Sequence, residues 1–201
     1  MFRSIHDDYN AHTMVSVWPR INKAADIFDY FVEKGYAVSS MKKAEGNGQE
    51  GITVDNTVDN ITVDVYNPEA SKEYWRFMKE RLWNLGTDGW WLDASEPESN
   101  FHDAFTYAGS GARHLNTYSI MQSGAIYNGH RETTSDKRVV ILTRSAFIGQ
   151  QRYATQCWSG DIGMTWNTYK QQIAAGLNFC STGMSYWSSD CLLYTSPSPR
   201  D

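Results

Sequence analysis

The residues best suited to chemistry lie in one short segment, GWWLDASEPE at residues 89–98. An apolar, tryptophan-rich run ends there at Asp93, and Pro97 forces the acidic stretch after it into a loop. Tryptophan rings stack on the C–H faces of sugars, and carboxylates accept hydrogen bonds from sugar hydroxyls. Glycoside cleavage needs one carboxylate against the anomeric carbon and a second carboxyl group that protonates the leaving oxygen. The segment therefore predicts a site that handles a carbohydrate.

The composition is typical of one globular domain with a substantial core, since 41% of the 201 residues are hydrophobic and 20% are charged. The formal net charge of −5 argues against nucleic acid as a partner, because nucleic acid selects clustered Lys and Arg. No apolar run reaches membrane-spanning length, and no secretion leader follows Met1. Cys157, Cys180 and Cys191 are odd in number and widely spaced, so they predict neither a disulfide framework nor a zinc site.

Strand-like and helix-like segments alternate along the chain. Short apolar runs predict strands at residues 14–18, 89–93, 139–143 and 177–181. Helical spacing and end signals predict helices from Ala24 to Gly35, from an Asn67 cap to Gly86, over Asn116–Tyr127 and over Trp166–Ala175. Residues 44–64 carry Gly-Asn-Gly and three Thr-Val-Asp repeats, which indicate a turn-rich insertion with a small hairpin.

This alternation predicts an α/β fold with a parallel sheet, and its spacing suits part of a (β/α)8 barrel. Such a barrel takes about 250 residues. We therefore expect residues 1–190 to form about half of a catalytic barrel, and the isolated piece to be inactive because half a barrel cannot close its sheet. Residues 191–201 change abruptly to Ser and Pro, which indicates a tail that is either non-native or disordered.

Several motifs resemble those of glycoside hydrolase family 31. Around Asp93 the chain resembles that family's nucleophile motif, a strand-end Trp-x-Asp followed by a small pair and Glu. Further similar motifs follow in the family's order: VSVWP at 15–19, YNPEA at 66–70, LTRSAF at 142–147, QRY at 151–153, WSGDI at 158–162 and GLNF at 176–179. The sequences DASEPE at 93–98 and QQRYA at 150–154 most resemble the α-xylosidase branch that acts on xyloglucan.

The resemblance implies the catalytic pair. Asp93 takes the position of the nucleophile, and Asp161 takes the position of the general acid/base. From the residues alone, Asp93 could instead cap a helix, and Asp161 could be an ordinary turn aspartate. The neighbourhood of Trp158 and Ile162 would suit an acid/base, because desolvation raises the pKa of a carboxyl group.

The resemblance also implies a substrate-binding set consisting of Arg144, Trp91, Trp158 and Asp190. Arg144 ends the strand at 139–143 and could hold sugar hydroxyls, orient a carboxylate or form a surface ion pair. Glu96 is expected to support the nucleophile. Asp190 stands where the family continues into a Gly-Gly-Phe-like stretch, whereas Cys191 begins the atypical tail here.

We therefore predict a retaining α-glycoside hydrolase that acts on terminal α-linked xylose or glucose through a covalent glycosyl-enzyme. The alternatives are an α-transglycosylase of the same family and an inactive carbohydrate-binding homologue. No cofactor is expected, and the five scattered histidines have no metal-ligand spacing. The partner is a carbohydrate, with no nucleic acid and no membrane segment in this piece. The compartment and the oligomeric state stay open, although the resemblance is compatible with a periplasmic or extracellular location.

Overall fold

The computed structural model describes residues 2–43, 50–97, 103–163 and 165–189. Its helices are α1 Phe2–Tyr9, α2 Phe28–Glu33, α3 Pro68–Arg81, α4 Gly111–His114, α5 Tyr118–Thr133 and α6 Trp166–Ser181. Its strands are β1 Met14–Val17, β2 Arg20–Asn22, β3 Ser39–Lys43, β4 Glu50–Thr53, β5 Asn60–Thr62, β6 Gly89–Leu92, β7 Ala104–Thr106, β8 Gly109–Ser110, β9 Ile141–Thr143, β10 Thr155–Trp158 and β11 Trp187–Ser188. Short 3-10 turns lie at Trp83–Leu85, Leu115–Thr117 and Gln150–Tyr153.

The central sheet has the order β1-β6-β9-β10-β11, and every neighbouring pair in it is parallel. Helices lie between most of these strands in the chain, as parallel connections require. The arrangement is a run of five adjacent strands from a (β/α)8 barrel. The prediction of a partial barrel of the α/β class is confirmed.

The two faces of this sheet differ sharply in exposure. Side chains alternate along a strand, and the face that packs on α3 and α5 buries Trp90, Leu92, Ile141 and Thr143 completely. The opposite face leaves Met14, Trp91 and Val140 partly exposed. A closed barrel turns this second face inward, so the remaining strands of a barrel would cover it.

Helices α3 and α5 form the layer behind the sheet. The predicted cap of α3 is confirmed, because the Asn67 side chain accepts hydrogen bonds from the backbone N–H groups of Glu69 and Ala70. The predicted stop is also confirmed, since Gly86 follows the 3-10 turn with φ of 111°. The two helices approach so closely that a Cβ added to Gly129 would lie 2.2 Å from Cγ of Trp75, so the packing requires glycine there.

Two smaller antiparallel sheets flank the barrel segment, with strand orders β2-β5 and β4-β3-β7-β8. The hairpin of β3 and β4 lies on either side of residues 44–49, which fall outside the described residues. Buried Asp64 accepts hydrogen bonds from the backbone N–H groups of Tyr66 and Tyr107, which are 3.1 and 2.6 Å away. This carboxylate fastens the start of α3 to the turn between β7 and β8.

Helix α1 was not predicted, and it packs at the amino-terminal edge of the central sheet. Nε2 of His6 lies 2.7 Å from Oδ2 of Asp88, just before β6 begins. The backbone N–H of Thr13 donates to the same carboxylate at 2.9 Å, and Nζ of Lys137 donates to it at 3.1 Å. Asp88 therefore joins α1, β1, β6 and the loop before β9.

The predicted strand at 177–181 is wrong, because these residues continue α6 to Ser181. A short apolar run is too brief for its periodicity to separate a strand from the end of a helix. The helix was predicted to end at Ala175, but Gly176 lies inside it, where an added Cβ would come within 2.8 Å of the Trp187 ring. The glycine is explained by close helix–strand packing.

Conversely, strand β10 occupies Thr155–Trp158, where no strand was predicted. Helix α2 begins at Phe28 and not at Ala24, because the backbone carbonyl and side chain of Asn22 hold the residues after it in turns. Helix α5 ends later than predicted, at Thr133.

Asp190 and the predicted tail at 191–201 lie outside the described residues. In the described part of the chain, no helix is long and apolar enough to cross a membrane.

A histidine without hydrogen-bond partners lies in the helical layer. His130 on α5 is fully buried, and neither ring nitrogen has a partner among the described residues. Its ring stacks on Trp75, with centroids 5.8 Å apart, and contacts Trp83 at 4.3 Å. Burial, with smaller contributions from Arg131 and Lys137, lowers the pKa of His130 from 6.5 to about 4. The ring is therefore neutral in the folded protein at neutral pH.

Stability should consequently fall in acid through His130. Between pH 6.5 and 4 the unfolded histidine binds a proton that the folded one does not, so the free energy of unfolding decreases as the pH falls through this window. We expect His130→Phe, which keeps a ring between the tryptophans, to remove about 1–3 kcal/mol of this pH dependence. Thermal unfolding measured from pH 7.5 to 4.5 tests this, and identical pH profiles for the two proteins would contradict it.

Candidate functional site

The site lies at the carboxyl-terminal edge of the central sheet. Because β1, β6, β9 and β10 are parallel, their last residues meet there, and the loops that follow carry Trp18, Asp93, Arg144 and Asp161. Functional side chains of α/β barrels gather at this edge, where rigid strands hold variable loops. The fold thus brings together residues that are up to 143 positions apart in the chain.

Asp93 follows β6 directly, and its position is set by neighbouring strands. Its backbone N–H donates to the Val17 carbonyl at 3.3 Å, which extends the β1–β6 ladder by one residue. Ala94 then adopts a left-handed conformation with φ of 52°, unusual for a residue with a Cβ. In this turn the Ala94 N–H donates to Oδ1 of Asp93 at 2.8 Å. The turn thus fixes Oδ1 of Asp93 against the backbone of the residue after it.

Arg144, directly after β9, bridges two acidic side chains. Its Nη1 lies 3.0 Å from Oδ1 of Asp93. Nε and Nη2 donate to the two Glu96 oxygens at 2.8 to 3.2 Å, which is the fork geometry that guanidinium favours. Asp93 and Arg144 are less than one fifth exposed, whereas Glu96 is 37% exposed. Two carboxylates therefore share one cation in a largely water-excluded site.

Gly160 packs against this arginine. It has φ of 73°, and a Cβ there would lie 3.5 Å from Cγ and Cδ of Arg144. The loop after β10 therefore passes directly over the aliphatic part of Arg144. This contact joins the loop of Asp161 to the pair formed by Asp93 and Arg144.

Beneath the charged groups lies a buried hydroxyl cluster that sequence reasoning missed. Ser95 and Thr143 are fully buried, with their oxygens 3.0 Å apart, and the Ser145 hydroxyl lies 3.2 Å from that of Ser95. The Ser145 N–H donates to Oγ of Ser95 at 3.1 Å. The sequence contained one signal for this cluster. Thr143 is a polar residue in an otherwise apolar strand, and the acidic loop contains a serine at position 95.

The two predicted tryptophans lie together. Trp91 is 38% exposed on the open face of the sheet, and Trp158 is only 5% exposed. Their ring centroids are 5.6 Å apart in an edge-to-face arrangement, so Trp158 supports Trp91 from the side. Trp90 is instead completely buried against Trp75 in the core. Of the two predicted platforms, Trp91 presents the larger ring surface.

Asp161 lies exposed in the loop after β10, at the same edge as Asp93. One strand, β9, separates β6 from β10. Neighbouring strands lie about 4.8 Å apart, so the ends of β6 and β10 are roughly 10 Å apart. If the side chains of Asp93 and Asp161 face each other, their carboxyl groups can lie about 5 Å apart. Within the described ranges, no group of three His, Cys, Asp or Glu side chains could hold a metal ion.

Together, the parallel sheet and the acidic edge define the class of protein, an α/β barrel with its site at the carboxyl ends of the strands. Residues 1–192 match the glycosyl hydrolases family 31 TIM-barrel domain, and the chain belongs to this family. It is 37% identical to an alpha-xylosidase of Saccharolobus solfataricus over 208 residues, which cover 100% of this chain and 25% of that protein. It is 26% identical to alpha-xylosidase A of Aspergillus niger, over 90% of this chain and 27% of that protein.

Solved structures agree with this assignment. A GH31 alpha-xylosidase from a soil metagenome, complexed with xylose, superposes with a TM-score of 0.81 at 28% identity, over 94% of this chain and 27% of that one. The GH31 alpha-xylosidase Xac1773 of Xanthomonas citri gives a TM-score of 0.78 at 28% identity, over 94% of this chain and 21% of that one. The chain thus spans about a quarter of the length of these four relatives.

Cys157 on β10 lies directly behind the site. Its Sγ is 3.8 Å from the Arg144 carbonyl oxygen and 3.6 Å from that of Trp158. Burial, with a smaller contribution from the charge of Glu96, raises the pKa of the Cys157 thiol to about 12. The side chain therefore fills space as a neutral thiol.

Cys157 should consequently resist alkylation. With a pKa of about 12, roughly one thiol in ten thousand is ionised at pH 8, and the thiolate is the reactive form. We expect iodoacetamide at pH 8 to modify Cys180, which is partly exposed, at least about 100 times faster than Cys157. Peptide mapping by mass spectrometry gives both rates, with urea-unfolded protein as the control in which the difference disappears. Equal labelling of both cysteines in the folded protein would refute this.

Proposed function

We propose that the chain is part of the catalytic barrel of a retaining α-glycoside hydrolase that removes terminal α-linked xylose or glucose. The observation that carries the proposal is the position of Asp93. Its carboxylate follows β6, is held by the Ala94 N–H and Arg144, and shares an edge of the sheet with Asp161. The names of relatives support the sugar class, since alpha-xylosidases of two organisms match 90% or more of this chain.

In this proposal Asp93 is the nucleophile. One carboxylate oxygen attacks the anomeric carbon, the glycosidic bond breaks, and a covalent glycosyl-enzyme forms. The Ala94 N–H and Arg144 both contact Oδ1, so Oδ2 is the oxygen that we assign to the attack. Two donors on one oxygen hold the carboxylate in a single rotamer, which favours a near-attack geometry.

Asp161 is proposed as the general acid/base. It protonates the departing oxygen in the first step and then takes a proton from the water that attacks the glycosyl-enzyme. Its separation from Asp93 by a single intervening strand fits retaining chemistry, in which the two carboxyl groups lie about 5–5.5 Å apart. Its place in an exposed loop suits contact with both the leaving group and water.

The remaining residues bind or position the sugar. Trp91, with its exposed ring, is proposed as one wall of the pocket, supported by Trp158. Glu96 is proposed to hold Arg144 beside the nucleophile, which makes Arg144 chiefly an orienting residue for Asp93. Asp190 remains a proposed ligand of sugar hydroxyls.

We also propose residues 1–190 as the barrel segment, with the turn-rich insertion near 44–64, and residues 191–201 as a tail outside the fold. Five parallel strands leave an open sheet face that includes Trp91, so the pocket is complete only with the rest of a barrel. The isolated chain should therefore lack activity, and assays need the full-length protein that carries it.

A second candidate is transfer of the glycosyl group to a sugar instead of water. A 1,6-alpha-glucosyltransferase of Sporosarcina globispora is 30% identical over 64% of this chain. Both reactions share the covalent intermediate and differ only in the acceptor. An inactive homologue is disfavoured, because both proposed catalytic carboxylates are present.

Substrate preference separates xylose from glucose. We expect the full-length protein to hydrolyse 4-nitrophenyl α-xyloside with a kcat/KM at least about 10 times that for the α-glucoside, since one added hydroxymethyl group in a close-fitting pocket costs about 1–3 kcal/mol. Release of nitrophenol measures both rates. A preference for the glucoside would overturn the xylosidase assignment and leave the hydrolase proposal intact. Formation of sugar products longer than the substrate would favour glycosyl transfer to a sugar over hydrolysis.

The nucleophile can be identified by trapping. A 5-fluoro-glycosyl fluoride should inactivate the full-length protein, and peptide mapping should find the label on Asp93. Asp93→Asn should lower kcat by roughly a thousandfold or more. Glu98→Gln, which changes another carboxylate of the same segment with no assigned role, is the matched control and should retain activity. A label on any other residue would exclude Asp93 as nucleophile.

A further inference from the structure

The acidic loop and the loop after β9 are joined beneath the charged groups by a closed circuit of hydrogen bonds. Ser95 accepts from the Ser145 N–H at 3.1 Å and contacts the Thr143 hydroxyl at 3.0 Å. Thr143 in turn donates to the Ser145 carbonyl at 2.9 Å. A hydroxyl has one donor and two acceptor sites, so Ser95 must donate to Thr143. Each oxygen in this circuit therefore has a defined role.

Gln150 extends this circuit into the helical layer. Its side chain is fully buried, and its Oε1 accepts from the Ser119 hydroxyl at 2.9 Å and from the Phe147 N–H at 3.1 Å. Its Nε2 donates to the Ser145 carbonyl at 3.2 Å. Gln150 thus closes the loop of residues 145–150 on itself and fastens that loop to the start of α5.

Ser145 is the meeting point of both parts and follows Arg144 directly. The Arg144 N–H donates to the Leu92 carbonyl at 3.2 Å, so the backbone of Arg144 is held on one side by β6. The residue after it, Ser145, is held by hydrogen bonds to Ser95 and Gln150. Ser95 itself lies two residues after Asp93. The circuit therefore controls the backbone positions of both members of the Asp93–Arg144 pair.

We infer that Ser95 and Gln150 are positioning residues, which fix the distance between Arg144 and the nucleophile from below the site. The inference rests on the proposed role of Asp93. Neither side chain can touch substrate, because both are completely buried. Their effect must pass through Arg144 and Asp93, so loss of either should slow the chemical step while leaving binding of the sugar nearly unchanged.

The chain provides matched controls on α5. Ser123 is as buried as Ser95, but its hydroxyl has no hydrogen-bond partner among the described residues. Gln122 is as buried as Gln150; its Oε1 has no partner there, and its Nε2 donates to the Tyr74 hydroxyl at 3.4 Å, outside the circuit. Ser123→Ala and Gln122→Met therefore make the same chemical changes in the core without touching the circuit.

The experiment compares Ser95→Ala and Gln150→Met with these controls in the full-length protein. We expect each circuit variant to lower kcat about 10- to 100-fold, because a displacement of about 1 Å at reacting groups has effects of this size. KM should change less than about twofold. Inactivation by the 5-fluoro-glycosyl fluoride should slow by the same factor as kcat. The controls should stay within about twofold of the wild type in both constants.

A double variant tests whether the two residues act as one unit. If both act through Ser145, Ser95→Ala with Gln150→Met should lower kcat by clearly less than the product of the single effects. Melting temperatures of all variants separate positioning from simple loss of stability, since a purely structural role would lower the melting temperature without changing kcat in the folded fraction. If Ser95→Ala does not fold, Ser145→Ala is used in its place. This variant removes only the 3.2 Å contact between the Ser145 and Ser95 hydroxyls.

Unchanged kcat in the folded circuit variants would overturn the inference, as would equal losses in the controls or fully multiplicative losses in the double variant. Trapping of the wild-type protein distinguishes failure of the positioning role from failure of the proposed function. A label on Asp93 with unchanged kcat in the variants refutes the positioning role alone. A label on another residue refutes the proposed function and the positioning role together.

Discussion

The parallel hydrogen-bond ladder from β1 through β6, β9 and β10 is the constraint on which the site depends. Parallel strands end at the same edge, so the ladder places the residues after Val17, Leu92, Thr143 and Trp158 beside one another. Backbone bonds continue one residue beyond the strands, from Asp93 to Val17. The positions of the functional loops are therefore set by the sheet before any side chain interacts.

Charge compensation at Arg144 is the second determinant. Asp93 is largely buried, and an unpaired carboxylate there would be costly, whereas Glu96 is 37% exposed. The guanidinium fork contacts both of them, and the aliphatic part of Arg144 packs under Gly160. Gly160 has φ of 73°, in the left-handed region that favours glycine. The loop of the proposed acid/base is thus linked by packing to the proposed nucleophile.

Much of the fold was predictable because local signals were strong. The Asn67 cap, the Pro68 start and the Gly86 stop mark α3 unambiguously, and the apolar runs mark β6 and β9. Strand β10 was missed because TQCW alternates over only four residues, too few to establish a period. The end of α6 was misread as a strand because the reason for Gly176, contact with Trp187, is a tertiary one.

The sequence by itself determined the residue types of the site and their order: a tryptophan-rich strand with an acidic loop, a strand that ends in arginine, and a Ser-Gly-Asp loop beyond it. Those features depend on local propensity and short spacings, which a chain carries wherever it folds. Only the tertiary structure decided that Arg144 is shared between Asp93 and Glu96, and that Ser95 and Gln150 are joined through Ser145. The contacts of Arg144 and Ser95 connect residues about 50 positions apart, and their hydrogen-bond geometry arises only when the parallel strands align.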